Sequence, residues 1–444
     1  MKKLLCFVIA LLLMAPLVTA CGDRDGSKDS NVITFVYGSS QKGQLGVLLE
    51  EFQSLHPEYV VKPEWVGMTD IQSKQDVAMG ARKPYDVNIG GDAYLQKHKR
   101  VLHPLNDFIE RDGGEMDYED FLPKVRDALT TDGKTFYLPH FMNIGLLYYN
   151  KDIFDAAGET YPNETWTLDT FFEKGKQFTK RSGNAVTQWG SDGIIGWWGE
   201  WLAMVRLAGG DVIKDGLFDL NTPEAIAGMT KYYERMNGPV GSSGETVWNT
   251  KIGPNGHKGD DSLGNFNGGK TAMNFESGVQ NWLTLRALPE HARFNWDATA
   301  LPTGAGASGL SKGRAQGAEF AIEGYGIHKD SKNKEGAWQL IKFLTQKRTG
   351  AKLSAFDYLP CRTSEKNEIL ATPKAQRKPP QNMEAVYGAI ENAMSLPAES
   401  YFLAVTNDYC NPIIQKMLEK DYTPAAACAK ITADCNAIIK ASYM

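Results

Sequence analysis

The sequence predicts a two-lobed α/β protein, and three observations lead there. The chain's 444 residues exceed the roughly 250–300 at which a single hydrophobic core stops growing. Strand-like and helix-like runs alternate from Val32 onward, the pattern of a parallel sheet covered on both faces. Strand-like segments then return late in the chain, so the lobes are crossed more than once and joined by a hinge rather than a loose linker. Composition agrees, with 42 % hydrophobic and 23 % charged residues of mixed sign, leaving no long stretch too polar to pack.

Residues 32–37 (VITFVY) are β-branched and aromatic, and Leu45, Leu48, Leu49, Phe52 and Leu55 then share one helical face. A second strand is expected over Tyr59–Trp65, a second helix over Asp70–Ala81, and a third strand over Tyr85–Ile89 ending in Gly90-Gly91-Asp92. After Leu105 a polar helical stretch runs to Leu129, and Thr135–Tyr149 is extended, as suits a chain passing between lobes. Thr167 can cap a helix through Arg181, with Asp169 in its first turn and Gly183 as its stop. Further helices are expected at 198–208, 223–236 and 278–288, and residues 240–264 read as a long surface loop. Phe294–Leu301 is extended, 302–317 is Gly-rich, Glu319–His328 is a strand and Glu335–Leu344 a helix, after which the chain is helical from Tyr358. The resulting boundaries are 31–140 with 304–350 for one lobe and 141–303 with 351–444 for the other.

Residues 1–20 carry Lys2 and Lys3, an apolar run from Leu4 to Leu17, and Val18-Thr19-Ala20 before Cys21, the layout of a signal peptide. The apolar run is shorter than the ~20 residues that span a bilayer as a helix. Its end resembles the bacterial lipobox, in which the cysteine becomes the acylated first residue, so Cys21 is the expected lipid anchor and residues 21–30 a polar tether. Without the two lysines, 46 basic face 53 acidic side chains, net −7, which argues against a nucleic-acid partner. Cys361, Cys410, Cys428 and Cys435 remain, and an exported chain allows two disulfides among them. Cys428 and Cys435 lie about 10.5 Å apart along one helix, beyond the ~7 Å that a disulfide spans. If 400–419 and 424–440 form a helical hairpin, Cys410 is the partner of Cys435; buried free thiols are the alternative.

Two motifs mislead. Gly264-Asn-Phe-Asn-Gly-Gly-Lys270-Thr271 has the spacing of a phosphate-binding loop, but no strand precedes it and the strand-like TAMNF follows where a helix is needed. Gly304-Ala-Gly306-Ala-Ser-Gly309 matches a dinucleotide fingerprint, yet no helix follows. No zinc-protease or serine-hydrolase signature occurs, and the seven histidines are scattered. Neither cofactor nor metal is expected. What stands out is aromatic density: six of ten tryptophans, Trp189, Trp197, Trp198, Trp201, Trp248 and Trp282, fall between 189 and 282. Indole stacks on the apolar face of a pyranose while amides and carboxylates meet its hydroxyls. Core packing is the competing reading for each tryptophan, and the Trp197-Trp198 to Trp201 group is the one assigned to a site.

At Phe266-Asn-Gly-Gly-Lys270-Thr-Ala-Met273 the chain resembles the family 1 extracellular solute-binding proteins of ABC importers. Tyr137-Leu-Pro-His, Leu147-Tyr-Tyr-Asn-Lys-Asp with Ala156-Ala-Gly158, Thr165-Trp-Thr167, Tyr325-Gly-Ile, Tyr358-Leu-Pro and Thr423-Pro-Ala-Ala-Ala are similar to further family segments, in the family's order. The resemblance implies a periplasmic-binding-protein-like fold whose lobes close on a ligand for delivery to a membrane permease, with no catalysis. By position it places Ser39, Ser40, Gln41, Asp92, His140, Asn143, Trp197, Trp198, Phe275, Glu276, Ser277, Glu323 and Tyr325 at the cleft. Arg362 joins them, in a Pro-Cys-Arg run that departs from the family pattern. The expected ligand is a sugar, Trp197 or Trp198 stacking on it and Asp92, Glu276 and Glu323 accepting its hydroxyls. A phosphorylated polyol such as glycerol phosphate would instead require Lys312, Arg314 or Arg362 in the cleft. A lipid-anchored glycoside hydrolase and an envelope scaffold are the rivals from other classes. The chain is expected to be a monomer held to the cell envelope by its lipid alone.

Overall fold

The residues at 32–38 are stiff at χ1 and suit a buried, pleated surface, and they form β1 (Val32–Gly38), buried from Phe35 through Tyr37. The computed structural model describes residues 31–67, 70–183, 185–192, 198–237, 266–276, 282, 285–290, 293–304, 319–347, 349 and 359–443. α1 (Lys42–Leu55) lays Leu45, Leu48, Leu49 and Phe52 on the core, and β2 (Val60–Val66), α2 (Ile71–Gly80), β3 (Val87–Gly91) and α3 (Asp92–His98) follow. β1 pairs in parallel with both β2 and β3. After α4 (Pro123–Ala128), β4 (Leu138–Ile144) and β5 (Leu146–Asn150) are separated by Gly145 alone.

In the second half come α5 (Leu168–Phe178), β6 (Ala185–Asp192), α6 (Trp198–Leu207), α7 (Pro223–Asn237), β7 (Thr271–Glu276) and β8 (Trp296–Ala300). β9 (Glu319–His328), α8 (Lys334–Thr345), α9 (Met383–Asn392), β10 (Met394–Ser395), α10 (Asn411–Leu418) and α11 (Pro424–Ser442) complete the chain. Among the described residues two large sheets form, one per lobe, besides two small two-stranded ones. The first runs β10-β9-β3-β1-β2 with β4 also on β9, and the second runs β8-β5-β7-β6 and ends on Lys180–Ser182.

Register shows how the lobes join. β4 leaves the first sheet at Ile144, opposite Phe320 of β9, and β5 enters the second at Leu146, opposite both Glu276 and Ala300. β10 adds to β9 at the same level, Met394 beside Glu319 and Ser395 beside Phe320. The β4–β5 and β10 crossings therefore lie side by side. The carboxyl ends of β1, β3 and β4 in one sheet and of β6, β7 and β8 in the other all face this junction, where ligands bind open α/β sheets.

Three expectations need correcting. Thr167 does cap α5, accepting from the Thr170 amide at 3.2 Å, but the helix stops at Phe178 because Lys180–Ser182 pairs with β6 as a strand. Residues 359–364 pack on the first lobe, the Leu122 amide donating to Cys361 O at 2.9 Å and Ser364 bonding Asp120 at 2.6 Å. β10 likewise belongs to the first sheet, so 351–444 does not lie wholly with the second lobe. Trp201, assigned with its neighbours to the site, is a core residue at 0 % exposure, whereas Trp189 and Trp282 are buried as the core-packing reading has it; α6 is buried from Gly199 through Leu207, as expected of a helix apolar nearly all round. Residues 240–264 and 305–317 lie outside the described residues.

Candidate functional site

The first lobe gathers polar groups where its strands end. Gly91 closes β3, and a Cβ there would lie 1.6 Å from Ile322 O, so only glycine lets β9 approach and lets Asp92 begin α3. Asp92 then accepts the Ile322 amide at 2.9 Å. One strand away, the ladder pairs Glu323 with Phe141 but Gly324 with Pro139, leaving His140 as the extra residue of a β-bulge, a device that re-aims a side chain. Its ring turns onto Tyr325, stacked at 4.4 Å, and its Nε2 lies 2.9 Å from Glu323 Oε1. Tyr37, next to last in β1, donates its hydroxyl to the same oxygen at 3.0 Å and sits 3.2 Å from His140 Nε2. Glu323 is thus oriented by two neighbours while its side chain keeps 29 % exposure. Tyr94 stands nearby, its hydroxyl pushed above its usual value first by burial and then by the Glu323 charge. An aimed, part-exposed carboxylate flanked by aromatic rings can accept hydroxyl donors and pack against an apolar ring face.

The second lobe presents Asp192 at the end of β6. It accepts from Asn274 Nδ2 at 2.6 Å and from the Phe266 amide, and is wholly buried. Behind it Glu200 and Arg235 form an ion pair with both side chains at 0 % exposure, and Arg235 lies 4.9 Å over the Phe275 ring.

The expected site residues divide accordingly. Glu323, His140 and Asp92 gather at the first lobe's strand ends, with Tyr325 buried behind His140. Gln41 and Asn143 are half-buried, at the start of α1 and near the end of β4, and Ser40 lies in the turn after β1. Trp198 is half-buried at the start of α6, packed against the core. Phe275 and Arg362 depart from the expectation. Phe275 is fully buried within the second lobe. Arg362 is 1 % exposed, donates to Met116 O, Asp117 O and Thr345 O at 2.7–2.9 Å and lies 3.7 Å from the Asp120 carboxylate, so it is held within the first lobe. Trp197, Trp248, Ser277, Lys312 and Arg314 lie outside the described residues, as does the Glu276 side chain. Tyr37 and Tyr94 join the site without being expected there; the only local signal is the position of Tyr37 at the end of β1. The nucleotide-loop mimic is set aside by its setting, since a strand, β7, follows Lys270 directly.

Burial raises the carboxyls of Asp92, Asp192 and Glu365 to about 7. Between the ordinary carboxylate value of about 4 and that value, the folded protein holds protons that the unfolded chain has released. The three carboxyls therefore lower stability as pH rises through this window, outweighing His103 and His328, which burial holds below the usual imidazole value and which act the other way. The carboxylate of Asp112, held below its usual range first by Arg111, loses its contribution only on the acid side of about pH 4. A urea midpoint lower at about pH 8 than at about pH 5 is expected; the reverse order would contradict it.

A family model described as bacterial extracellular solute-binding protein matches residues 38–351. The chain is 25 % identical over 341 residues to the sn-glycerol-3-phosphate-binding periplasmic protein of Shigella dysenteriae, covering 72 % of each chain. It is 32 % identical to the mannitol-binding protein of Pseudomonas aeruginosa over 128 residues, covering 27 % of this chain and 28 % of that one. In fold it is similar to an ABC substrate-binding protein from Listeria monocytogenes in complex with cycloalternan, with a TM-score of 0.74 at 22 % identity, covering 92 % of this chain and 99 % of that one.

Proposed function

Because this chain belongs to the bacterial extracellular solute-binding protein family, a family of binding proteins and not enzymes, we propose that it captures a sugar or sugar alcohol between its lobes for an ABC importer. The observation that carries the reading is Glu323, aimed by Tyr37 and His140 at the carboxyl ends of the strands. A charged acceptor binds hydroxyl donors about twice as strongly as a neutral one and repels anions. The mannitol- and glycerol-3-phosphate-binding relatives favour a polyhydroxyl ligand. Arg362, which a phosphorylated ligand would want, is committed to three carbonyls. Tryptophan fluorescence titrated with mannitol, maltose and glycerol 3-phosphate tests the reading. Saturable change with a neutral compound is expected, and a response to glycerol 3-phosphate alone would overturn the neutral-ligand assignment.

The protein works outside the cytoplasm, as its family does; anchoring through a lipid on Cys21, action as a monomer and docking to permease subunits complete the proposal. In that compartment Cys410 and Cys435 are well placed for a disulfide. Their Sγ atoms lie 3.5 Å apart between the π-turn Thr406–Cys410 and α11, both buried. Cys410 is held well above the usual thiol value by burial, and its hydrogen bond lowers Cys435. The bond forms with loss of two protons and two electrons to a thiol oxidant of the envelope. Peptide mapping of the exported protein, alkylated under denaturing conditions, is expected to show 410 and 435 joined; alkylation at both would contradict it.

A further inference from the structure

The crossing at β10 is held differently from an ordinary strand. Over Glu391–Ser395 four carbonyl oxygens are engaged by two cations, one from each lobe. Lys124 Nζ, on α4 of the first lobe, donates to Glu391 O at 3.0 Å and to Ala393 O at 2.6 Å. Arg206, in the last turn of α6 of the second lobe, donates through Nη1 to Met394 O at 3.2 Å and through Nη2 to Ser395 O at 2.8 Å.

Each contact has a physical reason. Glu391 lies in the last turn of α9, where carbonyls lack helical partners and a cation is favoured. Arg206 is 3 % exposed, and a guanidinium that dry is retained only where hydrogen bonds compensate it; its planar fork matches two successive carbonyls. Met394 and Ser395 are at the same time locked into the first sheet beside β9. An arginine of one lobe therefore grips a strand of the other, and a lysine of the first lobe grips the end of a helix packed on the second.

We propose that Arg206 and Lys124 are positioning residues that clamp this crossing as the fixed axle of the hinge, so that the lobes turn about Glu391–Ser395 and meet at one set angle. The inference rests on the reading that the lobes close on a solute. Its test uses no solute, so the two fail separately.

Spin labels introduced as unnatural amino acids at Val47 on α1 and Ala429 on α11, both exposed, report the lobe-to-lobe distance distribution in the full chain by pulsed dipolar spectroscopy. The expected result is a distribution that at least doubles in width in Lys124→Met/Arg206→Met, with Arg206→Lys intermediate because one ammonium cannot fork onto two carbonyls. Lower thermal stability with the parent's width in the folded double variant would overturn the proposal. If the double variant does not fold by circular dichroism, Lys124→Met alone, at a half-buried site, is read by the same criterion.

Discussion

Replacing Glu323 by glutamine is expected to weaken binding of the neutral polyhydroxyl ligand about two- to thirtyfold. The side chain keeps its shape and still accepts from the Tyr37 hydroxyl, so the fold and the stacked His140–Tyr325 pair persist. What is lost is charge. Hydrogen bonds to an ionised acceptor contribute about 1.5–3 kcal/mol against about 1 for neutral pairs, and each 1.4 kcal/mol is about tenfold in affinity. Tyr37→Phe, which removes one of the two groups that orient the carboxylate, should weaken binding in the same direction by less. Fluorescence titration of both variants checks the order; an unchanged affinity in Glu323→Gln would remove the carboxylate from the account.

The largest stability effect is expected at Arg235. Its guanidinium and the Glu200 carboxylate are both fully shielded from water, so Arg235→Met removes the ion pair from a buried carboxylate. Breaking such a pair from one side costs about 3–5 kcal/mol. The Arg235 guanidinium also lies over Phe275, a contact the variant gives up. Pairing the change with Glu200→Leu should recover most of the loss, since two well-packed apolar residues remove both charges together. Urea unfolding of the single and double variants measures this. A single-variant loss under about 1 kcal/mol, the range of an exposed pair, would show that the pair is not shielded.

The parts of the fold legible in sequence are those carried by local chemistry. The β-branched run at 32–38, the helical stripe from Leu45 to Phe52 and the Thr167 cap all appear where periodicity and capping place them. Gly90-Gly91-Asp92 marked a strand end because close approach and a helix start both leave a local signature. Cys410 and Cys435 came together because hairpin geometry follows from helix lengths alone.

The failures are long-range. Nothing local to His140 announces a bulge, which exists only relative to the register of β9, some 180 residues away. Trp201 belongs to a helix enclosed on all sides, and its indole donates to Asn411 at 3.3 Å; aromatic density by itself does not tell a cleft wall from a core. The resemblance puts Arg362 at the cleft, yet it donates to the carbonyls of 116, 117 and 345 and lies 3.7 Å from Asp120. Such satisfaction by distant backbone leaves no mark in sequence.

Small-angle X-ray scattering of the protein with and without mannitol or maltose tests the central claim most directly. Two lobes turning about a common junction and glued by a neutral solute should give a smaller radius of gyration with at least one of these compounds, and Glu323→Gln should need more of it for the same change. Identical scattering curves at saturating concentrations of both would contradict capture of such a ligand by closure.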